Sequence, residues 1–262
     1  MKLRTKVWLI VAASLFLIGA ILFVGAMRTM NWDFSKLSTD KLETNRHELT
    51  QDFQNISLST VTADISVLPA TDGKAAVICT EWENMKHSVE VKDGTLTVKM
   101  EDNRPWYNYI FNLHFASPSI TVYLPAEKYG NLTVKAVTGD IVIKDLSPTS
   151  MDLSVTTGDI QLTNITCTRI SIEGVTGDVA MKNVIAADSI AIEATTGDVK
   201  FDACDAAQIS IQVTTGDVTG SLLTDKVFDI HVTTGDIDVP PSAGSDKCHI
   251  TATTGDIRIT LK

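Results

Sequence analysis

The sequence predicts an all-β, single-domain parallel β-solenoid with rungs of 19–20 residues, preceded by an N-terminal transmembrane helix. Three observations carry that expectation. A Thr-Gly-Asp triplet recurs with its aspartate at Asp140, Asp159, Asp178, Asp198, Asp217, Asp236 and Asp256, at spacings of 19, 19, 20, 19, 19 and 20. A nearly constant period of that length marks a stacked repeat. Apolar and polar residues alternate on both sides of each triplet, the period-two signature of strands. Residues 7–27 are uncharged and mostly Leu, Ile, Val, Ala and Phe, about the ~20 residues a helix needs to cross a bilayer.

Taken in order, the apolar run follows Lys2, Arg4 and Lys6, with no acidic residue before it. The positive-inside rule then expects a single-pass protein of the cell membrane, N-terminus cytoplasmic and the bulk of the chain extracytoplasmic. A cleaved signal peptide is the alternative, with Val24-Gly25-Ala26 offering small residues for cleavage, although the apolar region of such a peptide is shorter, ~7–15 residues. Residues 1–28 are read as cytoplasmic tip and anchor, and the polar segment 29–52 as a juxtamembrane stalk. The formal charge is −10, and four of the basic residues lie at or before Arg28, so the exported part carries −14. With a pI near 4.9 the chain lacks the basic stripe that displaces phosphate counterions, which excludes nucleic acid as a partner.

The remaining residues, 53–262, form the solenoid. With the triplet aspartate as position 0, position −6 is Val134, Leu153, Ile172, Ile192, Ile211, Ile230 and Ile250, and position +1 is always Ile or Val. Positions −8, −6, −4 and −2 are expected on one inward face and +1 and +3 on another, separated by the Gly-Asp corner. No single repeat buries its own apolar edge, so stacking is obligatory, with right-handed coiling from the crossover rule. Gly139, Gly158, Gly177, Gly197, Gly216, Gly235 and Gly255 fit a structural corner that needs positive φ. An earlier rung shows at Ile56, Leu58, Thr60, Thr62, Ala63, Asp64, Ile65 and Val67. Asp64 precedes Asp140 by four periods of 19, so residues 68–130 are expected as an irregular stretch of the same pile, and 131–262 as regular rungs. Within it, strands are expected at 75–80, 88–91, 95–100 and 119–125, the middle two joined by an Asp93-Gly94 hairpin turn. Trp106, Tyr107, Tyr109, Phe111 and Phe115 crowd into ten residues; they are read as a hydrophobic cap or side lobe, or as a surface facing a partner or the membrane.

The Thr-Gly-Asp-Ile/Val turns, together with Ile120-Thr121-Val122-Tyr123-Leu124-Pro125 and the rung around Thr62-Ala63-Asp64-Ile65, resemble the bacterial putative-adhesin family of β-solenoid domains over about residues 53–262. That resemblance implies membrane anchoring and, for some members, an accessory role in regulating a membrane-bound envelope-stress sensing system. It carries no catalytic residues to this chain, and the adhesin label follows shape more than chemistry.

The aspartate column is the strongest candidate for chemistry. Like charges ~5 Å apart repel by about 1 kcal/mol in water, and turn N–H groups donating to each carboxylate would offset this. A calcium ladder on Asp140, Asp159, Asp178, Asp198, Asp217, Asp236 and Asp256 is the functional alternative, but the motif does not match the nonapeptide calcium repeat. Position −3 is mostly Thr, yet Lys135, Glu173, Glu193, His231 and His249 share its face, which does not suit ice binding. His231 and His249 fall on neighbouring rungs beside Asp229 and read as a surface ion pair. Cys167, Cys204 and Cys248 map too far apart to bridge; Cys204 and Cys248 are expected as buried hydrophobes, and Cys79 finds a partner only if the irregular region folds back. No catalytic residue, resident metal or cofactor is expected, and no enzyme. The function expected is a non-enzymatic, extracytoplasmic, adhesin-like interaction or scaffold module of the cell envelope, with a protein or cell-wall partner. A regulatory accessory protein and a carbohydrate-active β-helix enzyme are the alternatives. The chain ends at Ile257, Ile259 and Leu261 with no cap visible, so edge-mediated self-association at that C-terminal strand is also expected.

Overall fold

The structure is a computed structural model that describes residues 3–32, 42–83, 85–102 and 117–262. The five crowded aromatics Trp106, Tyr107, Tyr109, Phe111 and Phe115, together with His114, lie outside the described residues. Helix α1 spans Leu3–Thr29, and its stretch Val7–Thr29 is long and apolar enough to cross a membrane. It ends where Asn31 and Trp32 adopt φ of 56° and 59° and the Trp32 N–H donates to the Met27 carbonyl at 2.8 Å. That left-handed cap satisfies one of the last helix carbonyls.

Everything else described is β structure and its turns. The strands in order are β1 (Leu42–Glu48), β2 (Asn55–Thr62), β3 (Asp64–Pro69), β4 (Ala76–Trp82), β5 (Met85–Lys92), β6 (Thr95–Asp102), β7 (Ser119–Leu124), β8 (Lys128–Thr138) and β9 (Ile141–Thr157). They continue as β10 (Ile160–Thr176), β11 (Val179–Thr196), β12 (Val199–Thr215), β13 (Val218–Leu222), β14 (Val227–Thr234), β15 (Ile237–Asp238), β16 (Lys247–Thr254) and β17 (Ile257–Leu261). All belong to one sheet. From β8 to β12 each strand pairs in parallel with the equivalent strand one repeat later, Ile160 facing Val179 and Val179 facing Val199. Inward alternation is strict: Met151, Leu153 and Val155 are buried on one side of the corner, and Ile160 and Leu162 on the other. Thr157 and Thr176 at position −2 are exposed, because the chain is already turning there; the inward face ends at −4.

The sheet is mixed, with more antiparallel pairing than the one expected hairpin. β4 runs antiparallel to β7 and to β1, and β5 runs antiparallel to β6. The four irregular strands expected from sequence are present as β4 to β7, with Asp93 and Gly94 at φ 50° and 70° in the hairpin turn. The segment read as a stalk contributes β1. The described residues between β3 and β8 do not lie between the rungs of Asp64 and Asp140. β2 pairs directly with β8, Leu58 facing Val134, and the Asp140 N–H donates to Asp64 Oδ1 at 3.0 Å. The insertion covers the other edge of this first rung, where β6 pairs with β2 and β7 with β3.

A second correction concerns the far end. β16 pairs with β12 on one side and with β14 on the other, while β17 lies between β13 and β15. The chain overshoots by one rung and returns, so its last residues fill an interior position. The free edge is β14–β15, and of the C-terminal strand only Ile259–Leu261, which the two-residue β15 does not reach, stay without a strand partner on that side. Burial agrees: Cys248, Ile250 and Ile257 are fully buried, whereas Phe228, Ile230 and Val232 are only partly so and Ile237 is 47% exposed. Lys226 fixes the crossing. Its ammonium, fully buried, reaches Asp205 Oδ1 at 2.6 Å, the Ala206 carbonyl at 2.8 Å, Thr224 Oγ1 at 2.8 Å and Asp246 Oδ2 at 3.2 Å. One lysine thereby ties β12, the turn before β14 and the turn before β16, and such multiple pairing is what keeps a buried charge tolerable.

The inverted order has a direct check by urea denaturation. Ile250→Ala is expected to cost about 2–5 kcal/mol, as for a truncation in a closed core, while Ile230→Ala costs about 1 kcal/mol or less because its side is already wet. Equal costs, or the reverse ranking, would restore the sequential order.

Candidate functional site

Each triplet corner is built the same way. The glycines sit at φ between 131° and 148°, a region closed to residues with a Cβ. A Cβ on Gly177 would overlap the carbonyl oxygen of Gly158, and the same close approach recurs along the column. The aspartates then interlock between rungs. The N–H groups of Asp159, Asp178 and Asp198 donate to Oδ1 of Asp140, Asp159 and Asp178, each at 2.8 Å. The ladder continues through Asp217 onto Asp198, Asp256 onto Asp217 and Asp236 onto Asp256, at 2.8–2.9 Å. The column is thus continuous only in the inverted rung order.

This geometry leaves little for calcium, which takes 6–8 oxygen ligands. One oxygen of each interior carboxylate is already committed, and Oδ2 of Asp198 and of Asp256 faces Lys200 Nζ at 2.9 Å and Arg258 Nη2 at 2.6 Å. The N–H of Asp217, aided by Lys200, holds the Asp198 carboxyl below its usual 3.8, and the N–H of Asp236, aided by Arg258, does the same for Asp256.

A second corner, missed in the sequence, lies five residues after Asp140, Asp159, Asp178 and Asp198. Asp145, Asn164, Asn183 and Ala203 have φ of 53–55°. Asn183 Nδ2 donates to Asn164 Oδ1 at 3.0 Å, and Asn164 Nδ2 to Asp145 Oδ1 at 2.7 Å. Asn and Asp tolerate the left-handed region, so their recurrence at one offset was the available signal.

The outward side chains of positions −5 and −3 flank a trough of about 610 Å³ that crosses six rungs, bordered by Thr156, Thr195, Thr214 and Thr253 and by Glu173 and Glu193. Six rungs at strand spacing run about 24 Å. At its far end His249 Nδ1 and His231 Nε2 contact the two oxygens of Asp229 at 2.9 and 3.1 Å. All three are substantially exposed, which makes this a surface cluster of small energetic weight.

The four cysteines are free and buried. Burial pushes the Cys167 and Cys204 thiols up to about 11 and those of Cys79 and Cys248 to about 12, Glu81 adding to the effect at Cys79. The irregular region does fold back on Cys79, bringing Glu81 and His87 beside it. Glu81 Oε2 accepts the His87 backbone N–H at 2.6 Å and lies 2.9 Å from His87 Nδ1, Glu81 Oε1 accepts Asn45 Nδ2 at 2.7 Å, and His87 Nε2 lies 3.3 Å from Thr60 Oγ1. Hydroxyl, imidazole and carboxylate in series resemble a nucleophilic triad. With Thr60 only 4% and His87 5% exposed, no substrate reaches them.

The model of the Toastrack DUF4097 family matches residues 53–262. The chain belongs to the Toastrack DUF4097 family. Among solved structures, a protein named a putative adhesin from Bacteroides fragilis shares 21% identity at a TM-score of 0.51, covering 84% of this chain and 97% of that one. A protein named a putative lipid binding protein from Parabacteroides distasonis shares 13% identity at a TM-score of 0.49, over 86% and 94% of the two chains. A protein named a putative adhesin from the same species shares 14% at 0.47, over 84% and 98%. At 21% identity the likeness to the Bacteroides fragilis protein is one of fold. No match is found among curated proteins. In this Toastrack chain α1 precedes the matched region in sequence.

Two outcomes follow for the corner column. Asp178→Ala removes the acceptor for the Asp198 N–H and is expected to lower stability by about 0.5–1.5 kcal/mol in urea unfolding, whereas Asp178→Asn keeps an acceptor oxygen and stays near wild type. Because the folded values of Asp198 and Asp256 lie below 3.8, their contribution is complete above that pH and is lost as the pH falls through the lower folded values. Millimolar calcium added to metal-free protein should leave Tm unchanged; a rise would establish the calcium ladder.

Proposed function

We propose that this Toastrack protein is a non-enzymatic, adhesin-like binding module of the cell envelope, held to the membrane by α1 with Lys2, Arg4 and Lys6 on the cytoplasmic side. The observation that carries the reading is the trough across six rungs. Enzyme pockets are concave, mostly apolar and few in polar groups, and this one is open and repetitive, with hydroxyls and carboxylates bordering the small apolar side chains of Val155, Ala194, Val213 and Ala252. Such a surface suits an extended ligand with hydroxyl or amide groups along its length, a cell-wall glycan above all, over an acyl chain. Parallel stacking with a 19–20-residue offset supports treating the regular rungs as a right-handed solenoid, which would set the trough along the stack axis.

Binding to purified cell-wall glycan by the full-length chain in nanodiscs tests this. The double substitution Thr195→Arg with Thr214→Arg fills the middle of the trough and is expected to weaken capture at least about tenfold, about 1.4 kcal/mol. Capture that the double variant leaves intact would place binding elsewhere on the molecule.

A further inference from the structure

The cluster under the β4–β5 hairpin has no part in the corner ladder or the trough, and burying it needs a reason. Cys79 and Glu81 are two residues apart on β4 and share its inward face, and His87 approaches from β5. Their exposures are 0%, 1% and 5%. One donor atom from each lies within 4.8 Å of the other two. We propose that Cys79, Glu81 and His87 form a binding site for a zinc-type divalent transition metal.

The donor set argues for that class of ion. Thiolate, imidazole and carboxylate together are the ligands of Zn²⁺ and its neighbours, while Ca²⁺ and Mg²⁺ call for oxygen alone. Charge argues for it too. A divalent ion on one thiolate, one carboxylate and one neutral imidazole sums to zero, so the occupied site is neutral inside an apolar wall, where an isolated charge is most costly. The thiol gives up its proton to solvent as the metal bonds to sulfur. Bonds of ~2.0–2.3 Å in a tetrahedron set ligands ~3.3–3.8 Å apart, so no pair of donors has to close by more than about 1.5 Å, and the 2.9 Å contact between Glu81 Oε2 and His87 Nδ1 opens to admit the ion. An outer layer is in place to orient them: Asn45 of β1 holds Glu81 Oε1, and the Thr60 hydroxyl of β2 lies against His87 Nε2, leaving the fourth position to a water. The site would join β1, β2, β4 and β5, the part of the molecule that the Thr-Gly-Asp ladder does not reach.

The test uses the full-length chain in detergent, stripped by a chelator and titrated with Zn²⁺ and with Co²⁺. One equivalent should bind, Co²⁺ should give a thiolate-to-metal charge-transfer band, and a hundredfold excess of Zn²⁺ over Kd should raise Tm by several degrees. Cys79→Ser should abolish the band and Cys248→Ser should leave it, while Asn45→Ala weakens binding by about 10–100-fold. Metal that binds without a thiolate band, as the exposed Asp229, His231 and His249 would bind it, overturns the proposal, as does no binding at all. If Cys79→Ser does not fold, the wild-type cobalt spectrum alone decides.

Discussion

The backbone of one rung touches the backbone of the next at every Gly-Asp corner, and most of the domain depends on that contact. It requires a glycine, because the carbonyl of the preceding glycine occupies the space where a Cβ would stand. It also requires an acceptor at the next position, because the incoming aspartate N–H points at the carboxylate one rung away. The like charges of the column are thereby held a rung apart by the groups that neutralise their cost. An acidic surface that would suggest cation binding in an isolated loop is, in this stack, a row of hydrogen-bond acceptors.

A contact repeated this faithfully is also degenerate. Any rung with glycine, aspartate and the inward Ile/Val columns makes an acceptable neighbour for any other, so the corner cannot by itself dictate which rung lies beside which. Order must come from side chains that differ between rungs. At the far end the rung bearing Cys248, Ile250 and Ala252 is closed on both sides, and the rung bearing Phe228, Asp229 and His231 takes the wet edge. Lys226, with its two aspartates, is the residue that makes the crossing specific.

The same degeneracy divides what was legible in the sequence from what was not. Columns were legible, because inward positions, corner glycines and the turn aspartates follow from a period and an alternation. The strands β4 to β7 were legible from their own alternation and from Asp93-Gly94. Rows were not. Asp64 and Asp140 look four periods apart in sequence and are hydrogen-bonded neighbours, since a period counts residues and says nothing of a segment that leaves the stack. Glu81 and His87 carried no periodic signal at all. Only the antiparallel fold-back of β4 and β5 makes them meet, and antiparallel pairing within a parallel array is a property of that insertion alone.

The two ends of the stack consequently solve the edge problem by different means. At the first rung, β6 and β7 cover the parallel edge, and β5, β4 and β1 extend that cover antiparallel. This end needs cross-links of its own, since no corner glycine continues into it; the contacts of half-buried Asn45 and of buried Glu81, His87 and Thr60 supply them. At the other end no described strand pairs with the outer edge of β14, where only the loop after β15 touches it through the Phe228 N–H donating to Ser242 Oγ at 3.0 Å, and β15 is cut to two residues before Pro240 and Pro241. A short strand followed by prolines, with Asp229 and His231 projecting beside it, is a poor template for another strand. The overshoot therefore removes the well-formed apolar rung from the edge and leaves there the one least suited to aggregate.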